Sequence, residues 1–350
     1  MRRDPASGLT LAIARPIGDE MRDIRQRAAR NLGYGLVMAV AALLTIRPLS
    51  KRLTHNLARV TEGAERLAKG DLTVRVPVRS KDELGELAAS FNRMAEDLAL
   101  HQLELVRRES LRRELELCQR IQNEFLPRSS LRTLTAEVHG WSVAARAVGG
   151  DFFNYFRLPG GSLVLLVGDV SGKGVPAALL MANLQATLRA RLISTRDLAR
   201  VADELDHEIA ASTNTGHYLT LFAGVVDPAG RELSYLNAGH AEPVLVKAHG
   251  AVERLRSTGR PLALLPGGGY EVGRVDLSVG DALCAFTDGL SEAEDPKGEE
   301  LGEERLAELL LAVHDRPVDG MLLHVQDSVR TFRGRAEPRD DATLVVLKPL

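Results

Sequence analysis

The sequence is poor in cysteine, in net charge and, with one exception, in long apolar runs. Two cysteines among 350 residues, Cys118 in a helical pattern and Cys284 in a strand pattern, are too few and too distant for a disulfide framework or a Cys-x-x-Cys metal site. Two buried thiols in a reducing compartment are expected. Lysine and arginine number 45 against 47 aspartates and glutamates, a net charge of −2. No global basic field therefore draws the chain to nucleic acid, and none is expected as a partner. Composition also excludes general disorder: 45% hydrophobic and 26% charged residues at this length suffice for two or three domains and a sizeable core.

The exception is NLGYGLVMAVAALLTI, residues 31–46. These sixteen uncharged residues fall just short of the roughly 17–25 of a complete membrane span. A transmembrane helix is preferred to a signal sequence, because 30 residues precede the run and no small-residue cleavage site marks a mature start. Arg15, Arg22, Arg25, Arg27 and Arg30 on one flank match Arg47, Lys51, Arg52, Arg59 and Arg66 on the other, so flanking charge leaves the orientation open.

Two helical patterns follow. Leu49, Leu53, Leu57, Val60, Ala64 and Leu67 form one stripe, and Leu84, Leu87, Phe91, Met94 and Leu98 form a second at alternating steps of three and four. Heptad spacing of this kind asks for a bundle, and two chains giving two helices each would make a parallel four-helix bundle. Gly70 is placed to end the first helix and Ser80 to cap the second ahead of Glu83. Arg47-Pro48-Leu49, Gly70-Asp71-Leu72, Asp82-Glu83-Leu84-Gly85 and Phe91-Asn92-Arg93-Met94 together resemble a HAMP domain over 47–99. The resemblance implies a dimeric relay from a membrane helix to a cytoplasmic output, which places the chain at the cell membrane with residues 47 onward inside. Such relays usually follow two membrane helices flanking a sensor; here one is visible, after an N-terminal segment of residues 1–30.

Residues 100–127 continue as a helical linker. Leu111, Leu115, Cys118, Gln122 and Phe125 keep heptad positions out of phase with the stripe ending at Leu98, a break suited to a joint, and Pro127 stops the helix. Three outputs compete for the remainder. A histidine kinase needs a glycine-rich ATP lid that the sequence lacks, and His101 is assigned to a solvated helix face. A diguanylate cyclase is suggested by Gly149-Gly150-Asp151-Phe152-Phe153, which differs from the GGDEF signature at one position. That position is the catalytic acid, filled here by Phe152. A nucleotide loop at Gly168 to Gly174 fails as well: GDVSGKG has one residue fewer between its glycines than G-x-x-x-x-G-K-[ST], and no hydroxyl follows Lys173 to bind magnesium.

Strand patterns are more telling. Asp151 opens Phe152–Phe156, Asp169 follows the run Leu163–Val167, Asp288 follows Ala282–Phe286, and Asp340-Asp341 precedes Thr343–Leu347. One aspartate at a strand end is usually a turn former. Four at comparable places, each beside glycine or another aspartate, point to a shared centre. If they converge, carboxylates about 4 Å apart repel by roughly 4 kcal/mol per pair at an effective dielectric near 20, so a multivalent cation is needed to hold them. Oxygen donors without histidine or cysteine favour magnesium or manganese over zinc.

The same residues carry a second resemblance. VGGDFFNYF (148–156), GDVSGKGVPAALLMA (168–182), NAGH (237–240), FTDGLSEA (286–293) and DDATLVVL (340–347) resemble the PPM (PP2C-type) serine/threonine phosphatases of the bacterial SpoIIE and RsbU subgroup, over about 128–350. ELCQRIQNEFLP resembles the helix that precedes that domain. The resemblance implies an α/β fold of two packed antiparallel sheets flanked by helices, compatible with helical stretches near 175–193, 197–213, 303–313 and 318–332. It implies two Mn2+ or Mg2+ ions held by Asp151, Asp169, the Val170 carbonyl, Asp288 and Asp340, with Asp341 the second choice to Asp340. Those four aspartates are the implied catalytic set. Arg146 is a candidate clamp for the substrate phosphate. His240 is assigned to a backbone hydrogen bond rather than to acid catalysis. Asn154 and Ala263 stand where the family frequently has aspartate and glycine. The implied function is hydrolysis of phosphoserine or phosphothreonine by metal-activated water, with a phosphorylated anti-sigma-factor antagonist as partner and a homodimer as the signalling unit. The alternatives are a cyclase-like output and a catalytically inactive phosphatase-fold binding module, and intact acids at all four positions argue against the latter.

Overall fold

The computed structural model describes residues 2–3, 10–11, 17–77, 82–212, 216–265 and 267–350, which divide into a unit of residues 1–109 and a unit of residues 110–350. In the first, helix α1 (Ile17–Ala68) contains the apolar run and is the one described helix long and apolar enough to cross a membrane. It passes through Pro48 unbroken, although proline has no amide for the carbonyl four residues earlier. Past α1, Asp71 Oδ1 accepts from the hydroxyl and amide of Thr73, and Asp71 pairs with Arg66 at 2.6 Å. These bonds hold its carboxyl below the usual range. Val74 and Val76 are thereby seated on Ala88 and Phe91. Asn92 clamps Val76, accepting from its amide and donating to its carbonyl, both at 2.8 Å. Helix α2 (Glu83–Phe125) is capped by Asp82, whose Oδ1 accepts from the amides of Leu84 and Gly85; Ser80, the expected cap, lies outside the described residues. Leu49, Leu53, Leu57, Leu87, Met94 and Leu98 stay exposed, Leu49 by 61%. One chain does not bury its own seam.

In the second unit the elements run β1 (Leu131–Arg132), β2 (Ala136–Val143), β3 (Phe152–Arg157), β4 (Leu163–Val170), α3 (Val175–Thr195), α4 (Leu198–Ser212), β5 (Leu219–Val226), β6 (Glu232–Ala238), β7 (Val244–Val246), β8 (Val252–Arg254), β9 (Gly273–Asp276), β10 (Ala282–Phe286), α5 (Asp288–Ser291), α6 (Glu303–Leu311), α7 (Val318–Arg333) and β11 (Ala342–Pro349). Two antiparallel sheets result, one in the order β8-β7-β10-β11-β2-β1 and the other in the order β9-β6-β5-β4-β3. Alternation along each strand decides the layers. In β4, Leu163, Leu165 and Val167 face the other sheet while Val164 and Leu166 pack with Met181 and Leu188 of α3 and Leu205 of α4. In β10, Leu283 and Ala285 face inward while Cys284 and Phe286 pack with Leu306 of α6 and Met321 of α7. The sandwich expected from the sequence is therefore present, with its four long helices ending within two residues of the expected places. Cys284 is buried, which pushes its thiol up to about 12; Cys118, expected buried, is half-buried, and both are free. Strand β4 runs beyond its expected end because β5 continues to pair with it, Asp169 opposite Thr220 and Val170 opposite Leu219. Asp169 thus lies inside the strand rather than after it.

Between β8 and β9 the chain loops against α4. There Asp206, fully buried, accepts from the amides of Ala263 (2.7 Å), Gly267 (3.0 Å) and Gly268 (3.3 Å) and from the Tyr270 hydroxyl. Burial alone would raise its carboxyl, but these donors outweigh burial and hold it below the usual range. The turn puts Ala263 at φ +62, a region where a Cβ costs roughly 1–2 kcal/mol. Ala263→Gly is therefore expected to stabilise residues 110–350 by about 0.5–1 kcal/mol, once glycine's greater freedom in the unfolded chain is subtracted. A melting temperature unchanged or lowered would show that this turn is not strained.

Candidate active site

Strand register assembles the acids. Phe152 pairs with Gly168 across β3 and β4, which sets Asp151 beside Asp169. Across β10 and β11, Phe286 pairs with Leu344, which brings Thr287-Asp288 against Asp340-Asp341. Close approach of these segments requires missing side chains. A Cβ on Gly150 would stand 2.5 Å from the Val170 carbonyl oxygen and 3.2 Å from Asp169 Oδ1, and one on Gly289 would collide with the Asp341 carbonyl.

Asp151 is the deepest of the acids, 5% exposed. Its Oδ2 accepts from the hydroxyls of Thr287 and Thr343, each at 2.7 Å. Burial raises its carboxyl well above the ordinary value, the neighbouring Asp169 charge adds to this, and the two hydroxyls oppose it. Burial, then the charges of Asp288, Asp340 and Asp341, push Asp169 up to about 7. Asp288 reaches solvent, and the partial desolvation of its carboxyl together with the neighbouring Asp340 charge raises it. The adjacent pair at the start of β11 divides its work. Asp341 has both oxygens on backbone amides, Oδ1 on Ala145 and Oδ2 on Gly150, each at 2.8 Å. Asp340 instead pairs with Lys173 at 2.8 Å and accepts from the Asp341 amide.

The donor set suits a hard divalent cation. It consists of carboxylate oxygens whose ionisation is resisted by burial and by one another, with the Val170 carbonyl turned toward Gly150. Asp151, Asp169, Asp288, Asp340 and that carbonyl are the groups that could hold such ions. Among the described residues no three acids already stand as a closed cage, so a cation would draw them inward.

Arg146 is exposed on the loop between β2 and β3, next to Ala145. His240 is buried, and its ring Nδ1 meets the Thr220 hydroxyl at 2.9 Å rather than the backbone; its Nε2 has no partner in hydrogen-bonding geometry, although the nearby Phe286 carbonyl slightly favours the charged ring. Burial dominates and lowers the imidazole to about 4, so it is neutral at ordinary pH. Phe152 is buried among the residues under α3 and α4, which removes the cyclase-like alternative at that position. Sequence reading missed Thr287, Thr343 and Gln122. The last sits near the end of α2 and donates Nε2 to the Gly149 carbonyl at 2.7 Å while its Oε1 accepts from the Gly149 amide at 3.2 Å. An amide at an otherwise apolar heptad position was the available signal.

Known proteins resemble parts of this chain. Residues 159–349 match the family described as Stage II sporulation protein E (SpoIIE), and residues 49–99 match the HAMP domain. Protein IcfG of Synechocystis is 26% identical over 349 residues, which cover 91% of this chain and 55% of IcfG. Phosphoserine phosphatase RsbU of Bacillus subtilis is 23% identical, covering 69% of this chain and 71% of RsbU. Among solved structures, the RsbU and RsbW domains of Rv1364c from Mycobacterium tuberculosis align with a TM-score of 0.55 at 29% identity, covering 61% of this chain and 60% of that one.

The raised acids make a prediction without reference to turnover. Between the unfolded value of 3.8 and about 7, folded Asp169 keeps a proton that the unfolded chain has lost, so its ionisation removes stability as pH rises through that window. In chelator, Asp169→Asn is expected to melt above the native protein at about pH 8, with the gain vanishing by about pH 4. A difference independent of pH would exclude Asp169 as the responsible group.

Proposed function

This chain belongs to the SpoIIE family, and from that premise we propose that it is a divalent-cation-dependent phosphatase acting on phosphoserine or phosphothreonine in a protein. The observation that carries the proposal is the convergence of Asp151, Asp169, Asp288 and Asp340 at one end of the sandwich, with burial and mutual repulsion raising the first three. Two Mn2+ or Mg2+ ions held by these groups would supply Lewis acidity and make hydroxide available near neutral pH as the nucleophile for in-line attack on phosphorus. The protein's own part is placement. Thr287 and Thr343 fix the Asp151 carboxylate, β4 presents Asp169 with the Val170 carbonyl, and the first residue of α5, just past β10, presents Asp288. Asp341 holds the amides of Ala145 and Gly150 and so shapes the loop that carries Arg146, whose guanidinium is free to take two phosphate oxygens. No side-chain nucleophile is required, and Cys284 is buried under α6 and α7.

The resemblance to the RsbU subgroup favours a phosphorylated anti-sigma-factor antagonist as substrate. The apolar stretch of α1 and the HAMP domain favour a membrane-anchored chain with a cytoplasmic phosphatase, and the exposed seam of the two stripes favours a homodimer. On this reading the chain divides into an N-terminal segment 1–30, a membrane helix 31–46, a HAMP domain 47–99, a linker 100–127 and a phosphatase domain 128–350. Within residues 110–350, Gln122 grips Gly149 two residues before Asp151, and Gln185 of α3 donates to the Phe125 carbonyl. Linker displacement would therefore reach a candidate ligand directly, biasing the site between two arrangements.

Two outcomes test this. Asp169→Asn and Asp288→Asn should each lower phosphate release from a phosphoserine protein by several orders of magnitude at saturating Mn2+ while the fold persists; near-native turnover in either would remove the cation-based mechanism. Residues 100–350 fused behind a parallel coiled coil should change activity as the fusion register is stepped one residue at a time, and equal activity in every register would reduce the linker to a tether.

A further inference from the structure

Lys173 had no role once the nucleotide loop was discarded, yet its ammonium has a defined position. It lies 2.8 Å from Asp340 Oδ2 and 2.9 Å from the Arg339 carbonyl oxygen. Among the described residues it is the one basic side chain ion-paired with any acid of the centre, because the Arg339 guanidinium goes to Glu294 instead. Its charge is also felt at Asp288 and Glu292, where it opposes the upward shift. With Asp340 Oδ1 engaged by the Asp341 amide, both oxygens of Asp340 already have donors. A divalent cation arriving at Asp340 Oδ2 would meet a like charge 2.8 Å from that oxygen, and the ammonium, a compact charge on a flexible stem, is the partner able to move away.

We propose that Lys173 is an intramolecular competitor for the cation at Asp340, so that the affinity of that position is set by the GDVSGKG loop as well as by the carboxylates. The proposal rests on the two-cation reading above. Lys173 departs from Asp340 when the ion arrives, and its charge is then released beside a cavity of about 460 Å3 that it shares with Asp340, Gly289 and Arg333. The loop leads straight into α3, so any displacement of α3 also changes how tightly the competitor is held.

The test is Mn2+ binding to the full chain in detergent, by calorimetry and by quenching of Trp141, the sole tryptophan, which lines the same cavity. Lys173→Met keeps the stem and removes the charge, and should tighten one class of Mn2+ sites about tenfold. Lys173→Gln should do the same if methionine perturbs the loop, while Lys173→Arg should stay within about twofold of native. Equal or weaker binding by both neutral variants, with native-like melting, would overturn the competitor while leaving the two-cation reading intact. Absence of Mn2+ binding by native and variants alike would overturn both.

Discussion

The candidate centre depends on one buried contact, the grip of Thr287 and Thr343 on Asp151. Asp151 opens β3 of one sheet, and the threonines stand where β10 ends and β11 begins in the other, so the same bonds hold the sheets in register and gather the acids. An ionised carboxylate is costly in so dry a place. Two neutral hydroxyls on a single oxygen oppose the upward shift that burial and the Asp169 charge impose, but do not reverse it, so Asp151 carries its charge most readily where a positive charge offsets those of its acidic neighbours.

A second constraint converges on the loop from residue 144 to residue 150. Asp341 holds it at Ala145 and Gly150, and Gln122 holds it at Gly149. These contacts come from opposite ends of the second unit, one from the last strand and one from the helix that leads in. The loop has little regular structure of its own, and its shape is that of its restraints. What it delivers, Arg146 and Asp151, is correspondingly sensitive to both.

Much of this was legible in the residues. Alternation in β4, β10 and β11 depends on local pattern and survives reading one strand at a time, and acids flanked by glycine mark close approach. Partner-dependent features were not legible. Asp340 and Asp341 are neighbours with opposite surroundings, and no spacing rule separates a carboxylate filled by backbone amides from one facing a lysine. The end of β4 is decided by how far β5 accompanies it, which placed Asp169 inside a strand. Thr287 and Thr343 lay within quoted motifs, but a hydroxyl's direction is a property of two sheets in contact. Asp82 caps α2, and residue type alone could not single it out, because aspartate and serine are both good caps. At Ala263 the departure from a common glycine was visible in the sequence, but the positive φ that makes it costly is known only from the structure.

Helix α1, 52 residues without interruption, is a shaft about 78 Å long at 1.5 Å per residue. A shaft transmits bending only as well as its softest section. At Pro48 the ladder lacks one rung, because no amide there reaches back to the Leu44 carbonyl, and this gap falls where the apolar stretch gives way to the first heptad stripe. Bending at that section therefore opposes one hydrogen bond fewer than elsewhere along the helix, so the softest point of the shaft lies at the boundary between its apolar and its heptad-patterned parts.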